Sequence, residues 1–224
     1  MKIAALIPAK GFANAKQRLS AWLSAEERAL LAETMLRDVL AETLAAQGLE
    51  AVYVVTGNAR VRTIADVLGA QVIVEEEETG ETGAVTFALA ELKRRGFDAA
   101  LIIPADMPLV RAADIETVVA EVPRGENRFA LLVPSHDRLG TNALLLAPPD
   151  AIGLRFGYDS FTYHVRQAVD RGLPLKLVEN ERIALDIDEP QDMQRFLASG
   201  GGPGATYARV MEMRAAARGT GGPS

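Results

Sequence analysis

The chain reads as one α/β domain built on an open, mainly parallel sheet with helices on both faces. Three observations predict this. Apolar runs within the strands expected at residues 2–7, 52–56 and 99–103 lack polar alternation, as strands buried on both faces do. Amphipathic stretches of helical period separate them, and strand–helix alternation implies right-handed parallel crossovers. The length of 224 residues, 49% of them apolar, suits a single core of this class.

Residues 2–7 form the first expected strand, followed by a polar loop over 8–19. Ser24, with Glu27 three residues later, predicts a capping box at the start of a long helix. Leu31, Met35, Leu36, Val39, Leu40 and Leu44 give it an apolar stripe, and Gly48 marks its expected stop. Strands at 52–56 and 71–74 flank a short helix over 61–68, closed by Gly69. The acidic run 75–78 reads as a solvated loop, because like charges repel and stay in water. A helix over 82–95, closed by Gly96, leads into the strand that ends before Asp106.

The second half carries helices at 114–122, 159–171 and 189–198 and strands at 129–134, 142–147 and 175–178. The division expected is a domain over 1–198 and a flexible, glycine-rich tail over 199–224, with a short helix within it at 207–218.

The formal net charge of −6 argues against non-specific nucleic-acid binding. The absence of cysteine removes disulfides, thiol nucleophiles and cysteine metal sites, and two histidines leave little basis for a zinc centre. The first apolar run is too short for a secretory leader, and no stretch is long enough to span a bilayer. A cytoplasmic protein without membrane partners is the expectation.

Ligands of open α/β sheets bind beyond the carboxyl ends of the strands. Asp106 stands there, between Pro104 and Pro108. Asp186 and Asp188 point the same way if their segment is extended. Together these carboxylates suit Mg²⁺, which takes one or two of them plus substrate phosphates. Asp188 also reads as a helix cap and Asp106 as a turn former, but Asp186, between Leu185 and Ile187, has no such role. Lys10, Lys16 and Arg18 lie in a strand-to-helix loop suited to a triphosphate, although it lacks the P-loop ending. Gly157 and Ser160 offer an anion site at a helix start, or a plain turn and cap. His164 lies one turn from Ser160, and Trp22 reads as packing.

In order, Pro8-Ala9-Lys10, Lys16-Gln17-Arg18-Leu19, Pro104-Ala105-Asp106-Met107-Pro108, Gly140-Thr141-Asn142, Phe156-Gly157-x-x-Ser160-Phe161-x-x-His164 and Asp186-Ile187-Asp188 resemble the guanylyltransferases of coenzyme F420 biosynthesis. That family is a branch of the nucleotidyltransferase superfamily that also holds the molybdenum-cofactor guanylyltransferase. The resemblance implies a Rossmann-like nucleotidyltransferase fold of the GT-A kind. It implies GTP binding by Lys10, Lys16, Arg18, Gly83, Thr86 and Asp106, with Lys16, Arg18 and Asp106 catalytic. Mg²⁺ would sit on Asp106, Asp186 and Asp188. Thr141, Gly157 and Ser160 would bind a phosphorylated three-carbon acid: phosphoenolpyruvate, 2-phospho-L-lactate or 3-phospho-D-glycerate. Where the family often carries Gly-Leu-Asn, this chain has Thr82-Gly83-Ala84-Val85-Thr86, without the asparagine. The product would pass to a downstream transferase of the same pathway. The oligomeric state stays open, a homodimer included. Two other readings stand beside this one: a nucleotidyltransferase for molybdopterin or a sugar phosphate, and a non-catalytic nucleotide-binding domain.

Overall fold

The computed structural model describes residues 1–77 and 79–219. Glu78 of the acidic run and residues 220–224 of the expected tail lie outside the described residues. The seven strands are β1 (Ile3–Pro8), β2 (Ala51–Thr56), β3 (Gln71–Val74), β4 (Ala99–Ile102), β5 (Phe129–Pro134), β6 (Thr141–Ala147) and β7 (Leu175–Leu177). They form one sheet in the order β3-β2-β1-β4-β6-β5-β7. Only β6 runs against its neighbours β4 and β5; the other pairings are parallel. The reversal has a consequence for function. It brings the start of β6, with Thr141 and Asn142, to the same rim as the carboxyl ends of β1 and β4.

The helices are α1 (Ala25–Ala45), α2 (Ala59–Leu68), α3 (Gly80–Arg94), α4 (Ala112–Ala120), α5 (Ser160–Asp170), α6 (Pro190–Ala198) and α7 (Thr206–Gly219). Side chains of β1 alternate between two cores, as the pleat requires. Ile3, Ala5 and Ile7 pack with Leu36 and Leu40 of α1, Ile64 of α2 and Val118 of α4. Ala4 and Leu6 face the other way, toward Val85 and Leu89 of α3 and Ala168 of α5. Helices therefore cover both faces, as the unalternated strands require.

Helix α4 starts earlier than expected. Asp114, read as a helix opener, is instead the third residue of α4, where its Oδ2 accepts the Arg111 N–H at 2.9 Å. The Ser24–Glu27 capping box is present at α1, and Gly69 closes α2 at a φ of 91°.

The segment after Ser199, expected to be a flexible tail, is built into the fold as far as Met213. Asp38 of α1 accepts the Ala205 N–H (2.9 Å), the Thr206 N–H (2.8 Å) and the Thr206 hydroxyl (2.6 Å), capping α7 from a neighbouring helix. Val210 and Met213 of α7 then join Leu19, Leu31, Met35, Met193 and Phe196 in a third apolar cluster. The glycines mislead because they signal a linker, whereas the Val210/Met213 face is what docks. Trp22, read as packing, is 50% exposed.

Candidate active site

The loop after β1 begins with Ala9, whose N–H donates to Val55 O of β2 at 3.1 Å, so the chain leaves the sheet on a fixed path. Gly11 lets the loop pass close to the α2 cap, since a β-carbon there would lie 2.6 Å from Asn58 Nδ2. Two 3₁₀ turns follow, Phe12–Asn14 and Gln17–Leu19, and between them Lys16 adopts a left-handed φ of 50°. That conformation costs a residue bearing a β-carbon ~1–2 kcal/mol. Buried Arg28 braces the loop by donating to Ala15 O (3.3 Å) and Leu23 O (2.8 Å).

The strain at Lys16 is held by two ion pairs. Its ammonium donates to Asp106 Oδ2 at 2.6 Å and to Asp188 Oδ1 at 2.8 Å, with its side chain only 9% exposed. The backbone fixes the same meeting, because Ile187 N–H donates to Asp106 O at 3.0 Å. Asp106 and Asp188, 82 residues apart in sequence, thus share one rim. Asp186 is oriented by Asn142, whose Nδ2 donates to its Oδ1 and to Ile183 O, both at 2.9 Å. Arg18 stands further out, 3.4 Å from Glu189 Oε1 and 4.0 Å from Asp188 Oδ2.

Electrostatics distinguish these groups. Burial works against charge on Lys16, but Asp106 and Asp188 outweigh it and raise the ammonium's pKa. Burial also opposes charge on Asp188, and Lys16 overcomes it, holding that carboxyl below its usual range. Asp186 has no cation on it. Burial and the Asp106 charge push it up to about 6, against the Asn142 hydrogen bond. Glu81, near the start of α3, is pushed up to about 7 by desolvation and by Asp106, with Lys10 opposing. The rim therefore carries more negative charge than its cations balance.

A cavity of about 410 Å³ opens beside this cluster. Lys10, Lys16, Glu81, Asp106 and Asp188 supply most of its polar wall, and Val55 and Ala84 part of its apolar one. Gly83 and Thr86 do not line it. The missing β-carbon of Gly83 makes room for Thr79, and Thr86 donates to Thr82 O at 2.7 Å on an exposed helix face. The acidic run is not uniformly solvated either. Glu75 is buried and accepts the Thr79 N–H and hydroxyl, each at 2.9 Å. Among the described residues, no three Asp, Glu or His side chains form a ready-made metal cage, so Asp106, Asp186 and Asp188 are neighbours but not a preassembled ligand set. The donors still suit a hard cation completed by phosphate oxygens. Asp106 Oδ1 is buried and has no hydrogen-bond partner among the described residues.

Thr141, Ser160 and Gly157 form a second cluster outside the cavity lining. Thr141 N–H donates to Ser160 Oγ at 3.1 Å, and Thr141 Oγ1 lies 3.0 Å from His164 Nδ1. Gly157 holds a φ of 95° just before α5, and its carbonyl accepts the Ser160 N–H at 3.2 Å. Phe156 N–H donates to Thr82 Oγ1 at 3.0 Å, tying this loop to the residue after Glu81. The two clusters are thereby linked through the start of α3. The sequence reading did not single out Glu81, Asn142, Arg28 or Thr82. Asn142 had a signal, its place in the Gly-Thr-Asn motif, whereas Arg28 is recognisable only once its carbonyl partners are in space.

A family model described as guanylyl transferase CofC like matches residues 3–218. The phosphoenolpyruvate guanylyltransferase of Rubrobacter xylanophilus is 38% identical over 90% of this chain and 96% of its own. The 2-phospho-L-lactate guanylyltransferase of Methanothermobacter thermautotrophicus is 34% identical over 93% and 89%. Among solved structures, a putative nucleotide-diphospho-sugar transferase from Desulfovibrio desulfuricans superposes with a TM-score of 0.78 over 96% of both chains at 16% identity, a likeness of fold.

Proposed function

The chain belongs to the guanylyl transferase CofC-like family, and from that membership we propose that it transfers GMP from GTP to a phosphorylated three-carbon acid and releases pyrophosphate. The observation that carries this reading is the convergence of Lys16, Asp106 and Asp188 beside the 410 Å³ cavity, with the Thr141–Ser160 cluster tied to its wall.

The acceptor's phosphate oxygen attacks the α-phosphorus of GTP. A new O–P bond forms as the bond to the pyrophosphate oxygen breaks, and the electron pair leaves with pyrophosphate. A phosphate is already anionic at pH 7, so no general base is required. The protein contributes alignment and charge compensation. Lys16 and Arg18 offset negative charge gathering on the departing pyrophosphate, with Lys10 on the same cavity wall. Asp106, Asp186 and Asp188 would hold Mg²⁺, which when bound neutralises phosphate charge. Asn142 keeps Asp186 aimed at that rim. Thr141, Gly157 and Ser160 receive the acid.

Relatives named for phosphoenolpyruvate, 2-phospho-L-lactate and 3-phospho-D-glycerate all match this chain. These acids share one phosphate and one carboxylate on a short frame, so discrimination rests on hybridisation, a hydroxyl and phosphate position. Mass spectrometry of products formed from GTP, Mg²⁺ and the three acids in competition tests the proposal. A guanosine-diphospho-linked acid is expected. No such product from any of the three, with turnover of a sugar phosphate or molybdopterin instead, would replace it.

A further inference from the structure

His164 is fully buried, although the transfer chemistry gives it no task. Its ring is fixed edge-on to Phe156 and Tyr163, with centroids 5.5 and 5.8 Å away. Each ring nitrogen has one partner. Arg155 backbone N–H donates to Nε2 at 3.2 Å, and Thr141 Oγ1 lies 3.0 Å from Nδ1. A backbone N–H only donates, so Nε2 must accept and carries no proton. A neutral imidazole then has its proton on Nδ1. Nδ1–H therefore donates to Thr141 Oγ1, and the Thr141 hydroxyl is an acceptor in that bond.

The same bookkeeping applies to Ser160. Its Oγ accepts the Thr141 backbone N–H at 3.1 Å. Both hydroxyls are buried, both are used as acceptors, and neither proton has an acceptor among the described residues. Two adjacent buried hydroxyl protons of this kind call for acceptors, and an anion's oxygens can supply both.

We propose that His164 is a positioning residue: through its Nδ1–H it obliges Thr141 to present its hydroxyl proton outward, so that Thr141 and Ser160 act together as a two-donor anion clamp beside Gly157. Its assignment as the acceptor's clamp rests on the reading that these residues receive the phosphorylated acid. The clamp's polarity is set from behind, by the Arg155 N–H on the far side of the ring. An imidazole in the opposite tautomer would demand the Thr141 proton for itself and leave the clamp with a single donor.

Two measurements on the full chain test this. Nitrogen-15 NMR of the imidazoles, with only two histidines to assign, should show His164 as the Nδ1–H tautomer; the Nε2–H form would overturn the proposal. Steady-state kinetics with phosphoenolpyruvate and GTP supply the second. His164→Leu should raise the KM for phosphoenolpyruvate about tenfold or more and leave the KM for GTP within about twofold. His164→Asn, whose amide can stand in for Nδ1–H, should recover part of the loss and also serves if the leucine variant fails to fold. Thr141→Val should raise the same KM, and adding His164→Leu to it should then change little, because the histidine acts through that hydroxyl. Losses that multiply independently would reduce His164 to packing. A Thr141→Val protein with unaltered KM for phosphoenolpyruvate would remove the acceptor-site reading itself, and this role with it.

Discussion

Lys16 concentrates the chemistry at the level of single residues. A left-handed backbone, two carboxylates on one ammonium and burial in the cavity wall give that side chain one place to be. Asp106 has the complementary position, with one oxygen on Lys16 and the other buried without a partner among the described residues. Loss of one well-placed charge-stabilising group commonly costs ~10²–10³ in rate. Asp106→Ala should therefore lower kcat by at least ~10²-fold while circular dichroism and melting show an intact fold; near-normal turnover would contradict the assignment. Removing divalent cations with a chelator should abolish turnover, and added Mg²⁺ should restore it. His164 supplies a pH prediction. Burial, with Arg155 adding to it, lowers its pKa to about 4. Below pH ~6.5 the unfolded chain binds a proton that the folded chain refuses, so stability falls as pH drops toward 4 and levels off below it. At pH 5 this linkage amounts to ~2 kcal/mol. Asp186 and Glu81, whose raised pKa values act in the opposite sense over this range, are common to wild type and His164→Asn, so urea unfolding should show the wild type's stability relative to that variant falling by ~2 kcal/mol between pH 7.5 and 5.

Elements explain why these residues meet. The turn after β4 brings Asp106 to the rim, the reversed strand β6 brings Asn142 there, and the 186–188 segment is tied on through Ile187 N–H to Asp106 O. Those carboxylates were legible in the sequence because an acid at the end of an apolar strand, or isolated between apolar neighbours, has few other uses. The strands were legible for the same reason, and 71–74 and 129–134 match β3 and β5 residue for residue. Glu81 was not legible, because it follows four other glutamates and only the placement of α3 turns it toward the cavity. The docking of α7 was hidden by its glycine-rich approach. Asp38 anchors that helix with three accepted hydrogen bonds. Asp38→Ala leaves their donors unpaired at a buried helix start and should cost ~1–3 kcal/mol. Chemical denaturation would show it, with turnover little changed, since Asp38 does not line the cavity.

Across the molecule, one sheet rim joins two clusters. The Lys16–Asp106–Asp188 cluster and its cavity suit a triphosphate, and the Thr141–Ser160–His164 cluster is where we propose that two hydroxyl donors meet a small anion. Thr82 and Glu81 connect the two. Among the described residues no helix is long and apolar enough to cross a membrane. The central claim is that a phosphate oxygen of the acid attacks the α-phosphorus of GTP at this rim. The most direct measurement is the fate of oxygen-18 supplied in the phosphate of phosphoenolpyruvate, read by mass spectrometry after turnover with unlabelled GTP. All of the label should remain in the guanosine-diphospho product, with unlabelled pyrophosphate released. Label in pyrophosphate, or in inorganic phosphate cut from the acid, would contradict it.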